Sequence, residues 1–284
     1  MDKRSVLELI EEQLVKGEIN LPVSEKTAVN LSNLLRKKDL DAVELTALIE
    51  KDPSLAVKFL NLSNSPLYAG LAKIKSVEQA VIRLGLKATR NFLLTITFHD
   101  IFRGRKKYLR DQFAMNWRHS LACGICAKKI AENSNMMLVA EDSYLLGLLH
   151  DIGVVAILDT LVTLLKREDD STELGEELII EIIYTFHPLV GAKILRMFDF
   201  DEMFCKIVEL HHEQESYEDK DSPLFNILQV ADHLLKKISL SLVPDTDISI
   251  SVLPYTTKLG LDPFFISVME VDIEDLLAGI DEIF

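Results

Sequence analysis

The sequence predicts an all-α protein: a two-lobed helical bundle. Three observations lead there. Apolar residues recur at helical spacing through most of the chain. Helix start signals, both capping boxes and Asp-Pro or Ser-Pro pairs, punctuate it. Gly and Pro are sparse, 11 and 8 in 284 residues, which favours helix over sheet. A hydrophobic fraction of 48% is enough for a substantial core, so an ordered fold is expected.

The elements follow in order. Val6, Leu7, Ile10 and Leu14 form one stripe, which predicts an amphipathic helix over residues 1–16. Leu21-Pro22 breaks the chain, and a second helix is expected over residues 25–37. Asp41-Ala-Val-Glu44 is a capping box that opens a helix carrying Leu45, Leu48 and Ile49. Asp52-Pro53 supplies an N-cap and a first-turn proline for the next helix. That helix carries Leu55, Phe59, Leu60 and Leu62 and ends at Asn64-Ser65-Pro66, where Asn64 and Ser65 suit bracing a turn or, alternatively, touching a ligand. Ser76-Val-Glu-Gln79 is a further capping box, Gly85 a C-cap, and residues 86–102 a long apolar helix. Residues 103–110 (RGRKKYLR) are the one dense basic cluster. They read as a solvated hinge between the lobes, with an anion or partner patch as the alternative.

The second half begins with a helix over residues 111–132 that carries Trp117 and His119. Residues 141–167 are a central helix or helix pair, and 168–177 an acidic loop. A helix from about 176 is expected to end at His187, which then caps a further helix begun by Pro188. Residues 202–213 form another helix and 213–221 a charged loop; Ser222-Pro223 starts a helix that includes Asp232. Residues 240–263 are less regular, and the alternating run 245–253 reads as a short strand. Asp262-Pro263 opens a last helix or pair. Its Phe264, Phe265, Val268, Val271, Leu276, Leu277 and Ile280 suit docking on the bundle or on a partner. The lobes are placed at residues 1–110 and 111–240, with a C-terminal extension over 241–284 packed on the bundle.

The charge narrows the partners. Thirty-one basic against 45 acidic residues give a net −14, which phosphate backbones and anionic membrane surfaces repel. Nucleic acid is therefore not an expected partner. No uninterrupted run reaches the roughly 18 apolar residues of a membrane span, so membrane insertion is not expected. The three cysteines and the charged N-terminus point to a reduced, cytoplasmic setting. Cys123-Gly-Ile-Cys126 reads as small buried core residues rather than a zinc or redox pair.

Residues 144–158, YLLGLLHDIGVVAIL, are apolar except for His150-Asp151. Burying an unpaired charge costs several kcal/mol, so this pair requires partners. Candidates stand nearby in order: His119, His150-Asp151, His187, His211-His212 and Asp232. Imidazole and carboxylate ligands suit Mn, Fe, Ni or Mg better than a thiolate site does. Adjacent residues on a helix project about 100° apart, so a doublet can serve one ion or two. Two ions about 3.5–4 Å apart can polarise a phosphate, the usual route of metal-assisted phosphoester hydrolysis. The competing reading is a polar network satisfied by hydrogen bonds among these groups and helix ends, with His187 as a cap and His211 as a core histidine. His99 and His233 read as structural or exposed.

The order His119, His150-Asp151, Asp232 around an LLHDIG core resembles the HD superfamily of metal-dependent phosphohydrolases. LIEKDPSLAVKFLNLSNSPLYAG, IKSVEQAVIRLG, GLLHDIG, FHPLVGAKIL and LHHE, in that order, make the chain similar to the HDOD family over roughly residues 20–235. That resemblance implies an all-helical fold with an HD-like second lobe. It also implies an output or interaction role in bacterial signalling, with other signalling proteins as partners and no established catalysis. It places the superfamily's metal ligands on His119, His150, Asp151 and Asp232, and the further histidines of HD-GYP phosphodiesterases on His187, His211 and His212. Two departures stand out. Val154 occupies the position of the lysine in HDIGK, and the segment after the paired histidines, HHEQESYEDKDSPL, lacks a GYP signature. A non-catalytic signalling module is the expected function; a metal-dependent phosphohydrolase is the alternative.

Overall fold

The computed structural model describes residues 41–65, 73–102, 109–167, 174–213 and 221–281, with 12, 13, 16, 19, 21 and 219. Among the described residues every regular element is a helix. In chain order these are α1 (Ala42–Glu50), α2 (Pro53–Ser63), α3 (Val77–Phe102), α4 (Arg110–Asn133), α5 (Ala140–Leu149), α6 (Ile152–Arg167), α7 (Glu176–Met197), α8 (Glu202–Leu210), α9 (Pro223–Lys237), α10 (Pro254–Lys258) and α11 (Pro263–Asp281). The helices expected over residues 1–16 and 25–37 and the basic hinge over 103–108 lie outside the described residues, apart from isolated positions.

Local signals account for most helix starts. Glu44 N donates to Asp41 Oδ1 at 2.8 Å, and Asp41 N donates to Glu44 Oε2 at 3.2 Å, closing the capping box of α1. Asp52 Oδ1 accepts from Ser54 N and Leu55 N, with Pro53 at the first position of α2. Asn64 then braces the exit. Its amide donates to Leu60 O and Ile74 O, and its carbonyl accepts from Ile74 N at 2.8 Å. One side chain thus ties the end of α2 to the start of the next element. Only half of the second capping box forms: Ser76 Oγ accepts from Gln79 N, while Gln79 reaches Lys75 N instead of Ser76. Gly85, at φ +79°, splits α3 into two helical segments, as its reading as a cap requires.

α3 packs on α1, α2 and α5, and α4 on α5 and α9. α6 lies on α7, and α7 on α8. One continuous apolar cluster runs from Ile19 to Ile273 and includes Cys123, Cys126 and Cys205 as free, buried thiols. The segments 137–164 and 176–197 have the length and apolarity of membrane spans by average composition, but most of their residues are buried in this core. His150 and Asp151 also interrupt the first of them between α5 and α6.

Two expectations are corrected. First, Pro188 does not begin a new helix: α7 runs through it, and His187 is buried at mid-helix. A proline inside a helix costs about 3 kcal/mol. Burial of Ile179, Ile182, Ile183, Phe186, Val190, Ile194 and Leu195 on both sides of it offsets that cost. Second, residues 245–253 form no strand. The segment passes through a 3₁₀ turn, Ile250–Val252, whose Ile250 plugs the core while Val252 stays exposed. Without a partner strand its alternation has no ladder to join. The expected docking stripe of α11 divides: Ile266, Met269 and Ile273 pack on the core with Phe265 partly buried, Phe264, Val268 and Val271 face outward, and the side chains of Leu276, Leu277 and Ile280 lie outside the described residues. Both sets recur at helical spacing, so spacing alone could not select the inner face.

Candidate metal centre

Two close helix approaches build the site. A Cβ on Gly147 of α5 would stand 2.6 Å from the Cys123 carbonyl of α4, and one on Gly124 would stand 2.8 Å from Tyr144 O. Only bare backbone lets α4 and α5 lie this close, and it sets His119 opposite His150. Gly153 of α6 likewise abuts the His187 carbonyl and Gly191 of α7. That contact sets His187 beside Asp151.

All seven residues singled out in the sequence converge. His119 comes from α4, His150 and Asp151 from the α5–α6 junction, His187 from α7, His211 and His212 from the end of α8, and Asp232 from α9. His150 is wholly buried, and His119, His187, His211 and Asp232 are nearly so. His119 Nε2 lies 3.2 Å from His150 Nε2, and His187 Nε2 lies 3.2 Å from His211 Nε2 and 3.1 Å from His212 Nε2. Asp151 stands between these groups. Its Oδ2 is 3.5 Å from His119 Nε2, and its Oδ1 is 3.4, 3.2 and 3.6 Å from Nε2 of His150, His187 and His211.

The tautomers follow from the outer nitrogens. His119 Nδ1 meets Leu240 O at 2.7 Å, His150 Nδ1 meets Gly147 O at 2.8 Å, His187 Nδ1 meets Ile183 O at 2.7 Å, and His211 Nδ1 meets Val208 O at 2.6 Å. A backbone carbonyl only accepts, so each Nδ1 carries a proton and each Nε2 is turned inward. Four Nε2 atoms and the Asp151 carboxylate then face one another. Asp151 Oδ1 is buried without a well-formed hydrogen bond.

Two of the rings resist protonation: burial, reinforced by the neighbouring imidazoles and opposed at His150 by Asp151, pushes His150 down to about 4 and His212 down to about 2. A divalent ion would suit the cluster. Donors bound to one ion at about 2.0–2.2 Å stand about 3–3.5 Å apart, at or just inside the separations seen here. The donors fall into two trios, His119–His150–Asp232 and His187–His211–His212, and a third group, His150–Asp151–His211, joins them. One carboxylate between two trios is suited to bridging two ions. None of these groups among the described residues includes a cysteine, and burial holds the Cys123 thiol well above its ordinary pKa.

The site opens into a cavity of about 220 Å³. Sequence reasoning missed several of its walls. Lys236 Nζ donates to Asp232 Oδ2 at 2.6 Å, so Asp232 offers one oxygen to His119 and the other to an ammonium. Burial works against both charges, but the pair prevails: Asp232 lies below the ordinary carboxylate range and Lys236 above its ordinary value. Asn116 is buried against the same cavity with neither amide atom hydrogen-bonded. Tyr184 stacks on His212 with ring centres 4.8 Å apart. Lys236 is four residues beyond Asp232 and Asn116 three before His119, so helical spacing was the available signal. Residues 241–245 close one side, next to the Leu240 carbonyl that orients His119. Of the remaining histidines, His233 lines the cavity, while His99 packs edge-on against Trp117 in the core.

An all-helical domain that gathers imidazoles and carboxylates from several helices into one buried centre is a domain of the HD type. The chain belongs to the HDOD family: the HDOD domain model matches residues 21–214. The structure is similar to that of an HDOD domain protein from Geobacter sulfurreducens, with a TM-score of 0.75 and 25% identity over 100% of this chain and 99% of the other. It shares its fold with a Shewanella amazonensis SB2B protein provisionally named a metal-dependent phosphohydrolase, with a TM-score of 0.73 and 17% identity over 98% and 99% of the two chains. An uncharacterized protein of Treponema pallidum (strain Nichols) is 21% identical over 224 residues. That match takes in 76% of this chain and 42% of the relative, so the chain spans less than half of that protein's length.

Proposed function

We propose that this HDOD signalling protein is a metal-loaded, non-catalytic output module that acts by binding other signalling proteins in the bacterial cytoplasm. The observation that carries the metal is the set of four imidazoles whose Nδ1 protons are committed to backbone carbonyls, which turns four Nε2 atoms inward around the Asp151 carboxylate. His119, His150 and Asp232 would hold one ion, His187, His211 and His212 a second, and Asp151 would bridge them. Bound there, a divalent ion supplies positive charge that can polarise an oxyanion. Val154, an apolar wall where the HDIGK lysine would stand, supports binding without turnover.

A phosphohydrolase is the second reading. Lys236 favours it, because it brings an ammonium to the same cavity by another route. The provisional name of the Shewanella neighbour fits this reading as well.

Metal analysis of freshly purified wild type and Asp151→Ala tests the first reading. Stoichiometric Mn, Fe, Ni or Mg in the wild type alone, with no hydrolysis of bis(p-nitrophenyl) phosphate, is the expected result. Wild type without metal overturns the metal centre. Turnover that disappears in Asp151→Ala establishes the second reading instead.

A further inference from the structure

A second cavity, of about 370 Å³, lies away from the metal centre. Lys87 and Arg90 of α3, Asp142 and Leu145 of α5, residues 198–201, Met203 and Phe204 of α8 and Leu224 of α9 line it. Its size is within the range of small-molecule sites. Phe198, Phe200 and Phe204 supply an aromatic wall, with the last two ring centres 5.9 Å apart.

Two cations and three carboxylates line this cleft, and all but Arg90 have a partner. Lys87 Nζ engages Asp142 Oδ2 at 3.3 Å. Asp201 caps α8 by accepting from Met203 N. Asp199 has interactions of its own. Arg90 is half-buried beside them, with no hydrogen bond or ion pair among the described residues, and feels Asp142 only at a distance. Its burial lowers the guanidinium pKa by more than nearby Asp142 raises it. A guanidinium presents a rigid fork of donors that matches an oxyanion, and its flat face stacks on rings.

We propose that this cleft binds a small molecule with an oxyanion head, held by Arg90, and a ring-sized apolar body, held by Phe198, Phe200 and Phe204. A carboxylate and a phosphate share the head-group chemistry. The three phenylalanines exclude a bare inorganic anion as the natural occupant, because they would gain nothing from it.

Anilinonaphthalene sulfonate, a fluorescent aromatic anion, is the probe. It is expected to saturate one site on the wild-type chain. Arg90→Met is expected to weaken that site at least about tenfold, the loss of one charge-assisted hydrogen bond. Lys73→Met, at an exposed position lining neither cavity, is expected to leave it unchanged. Undiminished binding to Arg90→Met, or a comparable loss in Lys73→Met, overturns the proposal. A measurement on the wild type alone guards against a misfolded variant. Phenylpropionate or phenyl phosphate should displace the probe and thereby distinguish the two head groups, whereas the uncharged phenylpropionamide should not. Equal displacement by the amide overturns the proposal.

Discussion

Gly153 and His187 touch backbone to backbone: a Cβ built on Gly153 would collide with the His187 carbonyl oxygen and stand 2.7 Å from Gly191 N. The contact holds Asp151, two residues before Gly153, against the His187 ring. Gly153→Ala is therefore expected to push α6 from α7. It should cost about 3 kcal/mol or more, the upper part of the range for overpacked cores. Thermal unfolding of metal-free protein reads the cost, and metal content should fall with it. Gly175→Ala, where a Cβ meets nothing within 4 Å, should leave metal content unchanged and cost only the poorer N-cap, about 1 kcal/mol or less.

Asp151→Asn separates the site's two roles. Asp151 faces four imidazoles within 3.6 Å, so each protein's midpoint is compared with its own metal-free value. The rise in midpoint that excess Mn brings to the wild type should be lost with the bridging charge. A variant that still gains stability from Mn as the wild type does would contradict the bridging role.

Lys236→Met removes the ammonium paired with Asp232 at 2.6 Å. Breaking a buried pair from one side costs about 3–5 kcal/mol, so the metal-free variant should be less stable. The same change removes a repelling charge beside the centre and frees Asp232 Oδ2. Affinity for Mn should therefore rise while stability without metal falls. Calorimetric titration and urea unfolding read the two opposite signs.

Acid should destabilise the metal-free protein well above the carboxylate range. An unfolded imidazole protonates near pH 6.5, whereas buried His150 resists until about pH 4. A depressed histidine contributes stability that is fully present above pH 6.5 and is lost as pH falls toward the folded value. His150 alone accounts for roughly 3 kcal/mol of that loss. Asp232, held low by its pair with Lys236 despite burial, adds its loss only below about pH 4. Urea midpoints in EDTA should fall between pH 7 and pH 5, and His150→Gln should flatten the slope.

Asn64→Ala removes a side chain bonded to Leu60 and Ile74 backbone. A loss of about 2 kcal/mol is expected from the unmade bonds, with metal content unchanged.

The helices were legible because their starts are local. Asp41, Asp52 and Ser222 with their following residues mark where chain direction changes, whatever packs on top. The constellation was legible for a related reason: imidazoles and carboxylates are conspicuous in apolar helices. Pro188 misled because its cost is local and its compensation is not; the burial that carries α7 through it comes from α6 and α8. Asn116 and Lys236 were invisible because an amide and an ammonium on helices are ordinary until a cavity appears beside them. The glycines that pull α4 to α5 and α6 to α7 gave no signal of their partners, which lie in other helices.

α5, α8 and α9 each begin at the Arg90 cleft and end at the metal centre. Leu224 and Asp232 on α9, at 1.5 Å per residue, span the two in about 12 Å. Helices transmit displacement along their axes with little loss, so the two sites share three struts. Linkage then demands symmetry: whatever factor a guest in the cleft applies to ion affinity, the ion applies to the guest. With both proposed sites filled, such a chain would be read from either end, reporting ion supply as a change in what it holds at the cleft or that guest as a change in how firmly it keeps its ions.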